Sequence, residues 1–122
     1  MTADTAPIEI ETGPHPTASI IWLHGLGADG HDFEPIIPEL GLPESLVVRF
    51  VFPHAPYRPV TVNGGATMRA WYDIAMDGRG FRQDETHIRD SEQTLRRLIS
   101  QECDRGIDSR RIVLAGFSQG AA

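Results

Sequence analysis

Cysteine and basic charge are both scarce in this chain of 122 residues. Its single cysteine, Cys103, excludes an internal disulfide framework and is typical of proteins in a reducing compartment. The net charge of −6 argues against partners such as nucleic acid or anionic lipid. No apolar run is long enough to span a membrane, and the N-terminus lacks the pattern of a secretory signal. We therefore expect one cytoplasmic domain with no stable membrane insertion.

Runs of apolar residues predict the secondary structure. Residues 8–12 alternate apolar and polar side chains, as a half-buried edge strand does. Three continuous apolar runs predict strands buried in a mainly parallel sheet, at 18–23, 47–52 and 112–115. A short helix capped by Asp32 is expected after the first of these runs, and a long one over 84–105, with Cys103 on its apolar face. Strands alternating with helices predict an α/β fold, with helices flanking the sheet.

The stretch 54–80 shows no clear period and is rich in proline, glycine and aromatic residues. A loop of this length inside a compact domain is usually functional or a compact surface excursion. Met68, Trp71 and Tyr72 within it either line a substrate pocket or tether the loop to the core. The sequence favours neither interpretation.

The last seven residues contain the pattern Gly-x-Ser-x-Gly directly after the strand 112–115. In that setting the pattern predicts a nucleophile elbow, a tight turn that lifts the hydroxyl of Ser118 clear of the sheet. Gly116 and Gly120 leave room where side chains would clash in such a turn. The alternative is a plain turn from strand to helix. The apolar strand just before the motif favours the elbow.

Residues 24–30, His-Gly-Leu-Gly-Ala-Asp-Gly, admit three interpretations. As an oxyanion loop, they would offer the backbone N–H of Leu26 beside that of Gln119. As a G-x-G-x-x-G motif they would bind a dinucleotide, but the acidic residue that should hold the ribose is absent from 45–72. The third interpretation is a tight turn without chemistry. We favour the oxyanion loop, then the plain turn, and last the dinucleotide site.

All five histidines precede Ser118. In nucleophile-elbow hydrolases the chain order is serine, then Asp or Glu, then histidine, so the expected base and carboxylate are missing from this chain. His24 is a poor substitute base because it leaves its strand beside the predicted oxyanion loop, and His87 is expected to be solvated. No histidine is spaced as a metal ligand with another histidine or with Cys103, so no metal site is expected.

Five blocks of this chain, in this order, resemble the phospholipase/carboxylesterase family of α/β-hydrolases, which includes bacterial carboxylesterases and acyl-protein thioesterases. The blocks are residues 21–30, 53–56, 58–65, 71–74 and 112–120. The resemblance implies an α/β-hydrolase fold and a cofactor-free serine hydrolase of carboxylic esters, thioesters or lysophospholipids. It puts the nucleophile on Ser118 and the oxyanion donors on the backbone of Leu26 and Gln119.

Members of that family are longer than this chain, and their catalytic Asp and His lie in the part that would follow Ala122. We therefore expect residues 1–122 to form a single partial domain that stops just after the elbow, with an N-terminal edge strand and turn (1–16) and the first half of the catalytic core (17–122). By itself the chain should be inactive. The alternatives are a non-catalytic fragment or a half-domain that binds protein across its open sheet edge. The expected partner is a small ester or thioester, and a homodimer is left open.

Overall fold

A four-stranded sheet forms the centre of the structure, a computed structural model that describes residues 6–122. The first five residues of the predicted segment 1–16 lie outside the described residues. The strands, numbered in chain order, are β1 (Ile8–Glu11), β2 (Ala18–Leu23), β3 (Val48–Phe52), β4 (Tyr57–Val60), β5 (Ala66–Arg69), β6 (Ile74–Asp77), β7 (Gly80–Gln83) and β8 (Ile112–Gly116). An α-helix, α1, spans Glu85–Asp104, and 3-10 helices span Glu34–Leu40, Thr61–Asn63, Ser109–Arg111 and Ser118–Ala121.

The strands of the central sheet lie in the order β1-β3-β2-β8. β2 runs parallel to both of its neighbours, with Ile20 opposite Phe50 on one side and Val113 on the other. β1 pairs antiparallel with β3 at the edge of the sheet. The predicted edge strand and the mainly parallel α/β sheet are therefore confirmed. The prediction that the strand 112–115 is buried is wrong for the described residues, because no residue of β8 is buried and Val113 and Leu114 are exposed.

The two faces of the sheet are covered by different elements. On one face, Val48, Phe50 and Phe52 form a core cluster beneath the 3-10 helix Glu34–Leu40. On the other face Arg49 reaches the carboxylate of Glu102 on α1. All five residues of β3 are buried because both faces are covered, which explains the continuous apolar character of that strand apart from Arg49.

The predicted long helix is confirmed as α1, and its ends follow local chemistry. The side chain of Asp84 accepts a hydrogen bond from the backbone N–H of His87 at 3.0 Å, which caps the first turn. Gly106, with φ at +95°, ends the helix in a conformation that favours glycine. The prediction that Cys103 packs in the core is wrong: Cys103 is exposed and Glu102 is the buried residue at this end of the helix.

The predicted short helix differs from the structure in type and in its cap. The segment Glu34–Leu40 is a 3-10 helix, and its N-cap residue is Phe33, with no side-chain capping bond, rather than Asp32. Pro38 inside the segment cannot donate the backbone hydrogen bond that an α-helix requires at that position. Among residues 6–122, no helix combines the length and the apolar character needed to cross a membrane.

The stretch 54–80 is more regular than its sequence indicates. β4 pairs with β5, and β6 pairs with β7, as two antiparallel hairpins of four-residue strands. The segment between the hairpins is fastened to α1, because His87 Nδ1 accepts a hydrogen bond from the N–H of Asp73 at 2.9 Å. His87 is therefore half-buried and bonded, and the prediction that it is simply solvated is wrong.

Candidate active site

The turn after β8 holds Ser118 in an unusual backbone conformation. Its φ is +56°, in the left-handed region that side-chain-bearing residues rarely adopt. For an ordinary L-residue this conformation costs about 1–2 kcal/mol. A strained residue directly after a strand of the central sheet is what a nucleophile elbow requires, because this conformation turns the side chain away from the sheet.

The two glycines of the motif are needed for close packing. A Cβ on Gly120 would lie 2.3 Å from the carbonyl oxygen of Leu23, and one on Gly116 would lie 2.4 Å from the carbonyl oxygen of Gly120. Both distances are far inside van der Waals contact, and the atoms they meet are backbone atoms that cannot rotate away. The spacing Gly-x-Ser-x-Gly therefore lets the turn press against the end of β2.

The loop after β2 lies directly beside the elbow. β2 and β8 are parallel neighbours with Leu23 opposite Gly116, so the loops that follow them leave the same edge of the sheet. Phe117 donates its backbone N–H to the carbonyl of Leu23 at 3.1 Å. A Cβ placed on Gly25 would lie 3.5 Å from the Cβ of Ser118. The structure thus brings the glycine-rich loop and the predicted nucleophile together.

Within residues 6–122, the backbone N–H groups of Leu26 and Gln119 donate to no backbone acceptor, and the same is true of those of Gly25 and Ser118. Further along the first loop the N–H groups are engaged, since Gly27 donates to the carbonyl of Arg69 at 2.9 Å and Ala28 donates to that of Gly25 at 3.2 Å. Free N–H groups on two loops that flank a serine are the donors that an oxyanion requires. The assignment of Leu26 and Gln119 as those donors stays a prediction.

His24 is bonded to the backbone through both ring nitrogens. Nδ1 bonds the carbonyl of Gly25 at 2.7 Å, so it carries the proton, and Nε2 accepts from the N–H of Ala55 at 3.0 Å. Burial lowers the pKa of His24, outweighing the hydrogen bond to Gly25, which raises it. A neutral imidazole with both nitrogens occupied cannot take a proton from Ser118.

The other histidines of the described region have different partners. Nδ1 of His54 accepts from the N–H of Gly30 at 2.9 Å, and burial followed by the charge of Arg69 lowers the pKa of this histidine. No histidine in the described part of the chain is hydrogen-bonded to Ser118. Among the same residues, no group of three His, Cys, Asp or Glu side chains could hold a metal ion.

The third glycine of the G-x-G-x-x-G pattern does not face an open site. A Cβ on Gly30 would lie 2.5 Å from the carbonyl oxygen of Phe52 and 3.0 Å from the ring of His54. The next helical segment begins only at Glu34. A dinucleotide site needs the third glycine at the start of a helix, where its N-terminus meets the pyrophosphate. Close packing at Gly30 is compatible with that motif too, so the argument against a dinucleotide site is the late start and 3-10 geometry of the helical segment.

The three predicted pocket residues do not lie together: Met68 is in one place, and Trp71 and Tyr72 are in another. The Sδ atom of Met68 lies 3.7 Å from the position that a Cβ on Gly27 would occupy, so Met68 lies beside the glycine-rich loop. Trp71 and Tyr72 are buried and line a cavity of about 570 Å³ between α1, the end of β8 and residues 119–122. Neither Ser118 nor Met68 lines that cavity.

Sequence reasoning missed the side-chain role of Gln119. Its Oε1 accepts from the N–H of Trp71 at 2.7 Å, and its Nε2 donates to the carbonyl of Tyr72 at 2.8 Å. Trp71 in turn donates its indole N–H to the carbonyl of His24 at 2.8 Å. The motif drew attention to the backbone of Gln119 alone, and no local pattern indicates partners so distant along the chain.

The model of the phospholipase/carboxylesterase family matches residues 5–122. This chain belongs to that family. Its relatives include acyl-protein thioesterase 1 of Neurospora crassa, 39% identical over 95% of this chain and 50% of the relative. Acyl-protein thioesterase 1 of Gibberella zeae is 38% identical over 96% of this chain and 52% of the relative. The chain spans about half the length of these relatives.

Solved structures of the family share the fold. The crystal structure of SOBER1 from Arabidopsis thaliana matches with a TM-score of 0.74 at 34% identity, over 84% of this chain and 50% of SOBER1. Acyl-protein thioesterase 2 from Zea mays matches with a TM-score of 0.75 at 32% identity, over 94% of this chain and 48% of that protein. The sheet and its flanking elements are therefore those of an α/β-hydrolase.

Proposed function

We propose that this chain supplies the nucleophile and the oxyanion site of a serine hydrolase of carboxylic esters or thioesters. The observation that carries the proposal is the strained Ser118, with φ at +56°, beside a glycine-rich loop; the backbone N–H groups of Leu26 and Gln119 have no backbone acceptor in the described region. The relatives named acyl-protein thioesterase support an acyl substrate. No cofactor is needed for this chemistry.

In the proposed reaction, Ser118 Oγ attacks the acyl carbonyl carbon and gives its proton to a general base. The carbonyl oxygen becomes an oxyanion between the N–H groups of Leu26 and Gln119. The intermediate then collapses to an acyl-serine and releases an alcohol or a thiol, which takes up the proton. Water then attacks the acyl-serine and gives a proton to the base, which returns a proton to Ser118 Oγ as the C–O bond to the serine breaks and the carboxylic acid leaves.

We propose that the base lies outside residues 6–122, because no histidine of this region is hydrogen-bonded to Ser118. His24 and His54 are held by backbone groups, and His87 accepts from Asp73, so none of these three is oriented towards Ser118. We propose that the polypeptide corresponding to the second half of the relatives supplies the histidine and its orienting carboxylate. The isolated chain is then expected to turn over no substrate, because loss of the base removes several orders of magnitude of rate.

Met68 is proposed to border the acyl group. Its thioether lies next to Gly27 on the oxyanion loop and accepts a weak hydrogen bond from Asn63 Nδ2 at 3.6 Å. A flexible apolar side chain suits acyl chains of different lengths. The assignment of Trp71 and Tyr72 to the same pocket stays a prediction. The cytoplasm is proposed as the location, because Cys103 is free and exposed.

The test joins this chain to the part of the Neurospora crassa relative that follows the matched half, and measures hydrolysis of an acyl thioester and of p-nitrophenyl acetate. We expect turnover by the fusion and none by the isolated chain. Ser118→Ala should lower the rate of the fusion by a factor of about a thousand or more. Ser109→Ala, at an exposed serine before β8, is the matched control and should keep the rate. A folded fusion whose turnover survives Ser118→Ala would contradict the proposal.

A second candidate is a half-domain that binds protein through the β8 edge. β8 is the last strand in the sheet order of the described residues, and Val113 and Leu114 are 54% and 50% exposed. An exposed apolar strand edge pairs readily with another chain. Sedimentation of the isolated chain should then show a homodimer that Val113→Lys dissociates. A chain that stays monomeric at every concentration excludes self-association through this edge.

A further inference from the structure

We propose that the side chain of Gln119 is a positioning residue, which holds both predicted oxyanion donors in place by clamping the segment 71–72. The inference rests on the proposed function and deepens it. In that function Gln119 acts through its backbone N–H alone. The contacts of its carboxamide give the same residue a second, separable role.

The clamp is a pair of hydrogen bonds with opposite directions. Gln119 Oε1 accepts from the N–H of Trp71 at 2.7 Å, and Nε2 donates to the carbonyl oxygen of Tyr72 at 2.8 Å. The side chain is buried, so water does not compete for these bonds. One donor and one acceptor on a single planar group match a carboxamide. A carboxylate would present an oxygen to the carbonyl of Tyr72 and repel it.

Trp71 connects this clamp to the other oxyanion loop. Its indole N–H donates to the carbonyl of His24 at 2.8 Å, and its ring lies 5.0 Å from the imidazole of His24. The hydroxyl of Ser91 on α1 donates to the carbonyl of Trp71. Trp71 therefore contacts both loops that carry the proposed oxyanion donors, the one with Leu26 and the one with Gln119. Trp71 is itself bonded to α1 through Ser91.

The elbow needs such an anchor because its conformation is strained. Ser118 stays at φ +56° only if the residues around it leave no relaxed alternative. Gly116 and Gly120 allow the close approach but supply no side-chain bond. Gln119 is the next residue after the strained serine, and its fixed side chain sets the orientation of the peptide group between them. That peptide group carries the N–H that faces the oxyanion.

The experiment compares Gln119→Met and Gln119→Glu with the unsubstituted 122-residue chain. Amide exchange at Trp71 is followed by ¹⁵N–¹H spectroscopy, and the chain has only two tryptophans to assign. Gln119→Met keeps the volume but removes both bonds, so exchange at Trp71 should be about three- to tenfold faster at every pH. Gln93→Glu, at an exposed glutamine on α1, is the matched control and should leave Trp71 unchanged.

The Gln119→Glu variant tests whether the side chain acts through its hydrogen bonds or only by filling space. Only hydrogen bonding predicts that amide exchange at Trp71 in this variant depends on pH. Burial without a cation raises the pKa of the introduced carboxyl, and its neutral form has one donor and one acceptor. The ratio of the exchange rate at Trp71 in Gln119→Glu to that in the unsubstituted chain should therefore be highest at neutral pH. It should fall towards one as the pH falls through that raised pKa. A ratio that does not change with pH, or unchanged exchange in Gln119→Met, overturns the clamp.

The same variants in the thioester-hydrolysing fusion separate the two proposals. Gln119→Met should lower kcat with little change in KM, because the oxyanion forms only during the reaction. If the fusion shows no hydrolysis that depends on Ser118, the proposed function fails, while the exchange data at Trp71 still decide the clamp. If hydrolysis depends on Ser118 but kcat is the same in Gln119→Met, the positioning role fails and the proposed function stands.

Discussion

Arg49 donates a hydrogen bond from Nη1 to Oε1 of Glu102 at 2.7 Å, across the interior between β3 and α1. The hydroxyl of Ser19 on β2 donates to the same carboxylate, and Arg105 donates to its second oxygen at 3.0 Å. Arg49 also bonds Glu11 on β1. The carboxylate of Glu102 is bonded to β2 and β3, and Arg49 extends the network to β1, so three strands are joined to the C-terminal end of α1 at the end of the sheet away from Ser118.

Removal of the Glu102 carboxylate should destabilise the chain strongly. Glu102→Ala leaves the buried guanidinium of Arg49 with a single acidic partner, and breaking a buried pair in this way costs about 3–5 kcal/mol. Urea denaturation followed by circular dichroism measures the change in the free energy of unfolding. Glu85→Ala, at an exposed position in the first turn of the same helix, is the control and should change it far less. Equal effects of the two substitutions would show that the buried network adds no more to the free energy of unfolding than an exposed ion pair does.

The same network predicts how stability depends on acid. Burial raises the pKa of Glu102, but the hydrogen bonds from Ser19 and Arg49 outweigh it, so the pKa lies below its ordinary value of 4.5. A folded-state pKa below the unfolded one means stability that is present above about pH 4.5 and lost as the pH falls through the folded value. The difference in unfolding free energy between the wild-type chain and Glu102→Gln should therefore narrow below pH 4.5. A difference that stays constant down to pH 3 (about 1.5 units lower) contradicts this assignment.

His24 predicts a second dependence on pH, at higher values. Burial lowers its pKa from the ordinary 6.5, so the unfolded chain binds a proton more readily than the folded chain does. The contribution of the neutral His24 imidazole to the free energy of unfolding is fully present above pH 6.5 and decreases as the pH falls below that value. Urea titrations should show a smaller decline in His24→Asn than in the wild-type chain, while above pH 7.5 (about one unit higher) the two curves should run parallel. Identical slopes below pH 6.5 would mean that His24 does not titrate as its contacts require.

The elements that the sequence predicts well are those with a local signal. β2, β3 and β8 are apolar runs, and α1 has a helical period. The sequence does not reveal partners that only the fold brings together. Ser19 and Glu102 are 83 residues apart, and Gln119 and Trp71 are 48 apart. The hairpin β4–β5 was missed because its strands are short and Pro59 interrupts the pattern of a strand.

Close packing at Gly120 predicts a sharp contrast between two glycines. Gly120→Ala would put a Cβ 2.3 Å from the carbonyl oxygen of Leu23, so the elbow must move away from β2. Such overpacking typically costs about 1–3 kcal/mol. Gly78→Ala is the matched control, because nothing lies within 4 Å of the added methyl group and its φ is not positive. Thermal denaturation should show a clear loss of Tm for Gly120→Ala and almost none for Gly78→Ala. If Gly120→Ala keeps the wild-type Tm, the contact with β2 is looser than the distance implies.

The strain at Ser118 predicts that glycine is more stable than alanine at this position, whereas glycine is usually the less stable of the two. With φ at +56°, position 118 favours glycine, so Ser118→Gly should be more stable than Ser118→Ala. The left-handed conformation costs an alanine about 1–2 kcal/mol, and the extra freedom of glycine in the unfolded chain offsets about 0.4–1 kcal/mol of that. We expect a net difference of roughly 1 kcal/mol in urea denaturation. Ser100, exposed within α1, is the control, because there glycine should be less stable than alanine by about 1 kcal/mol. If alanine is the more stable residue at both positions, Ser118 is not strained and the nucleophile elbow loses its main support.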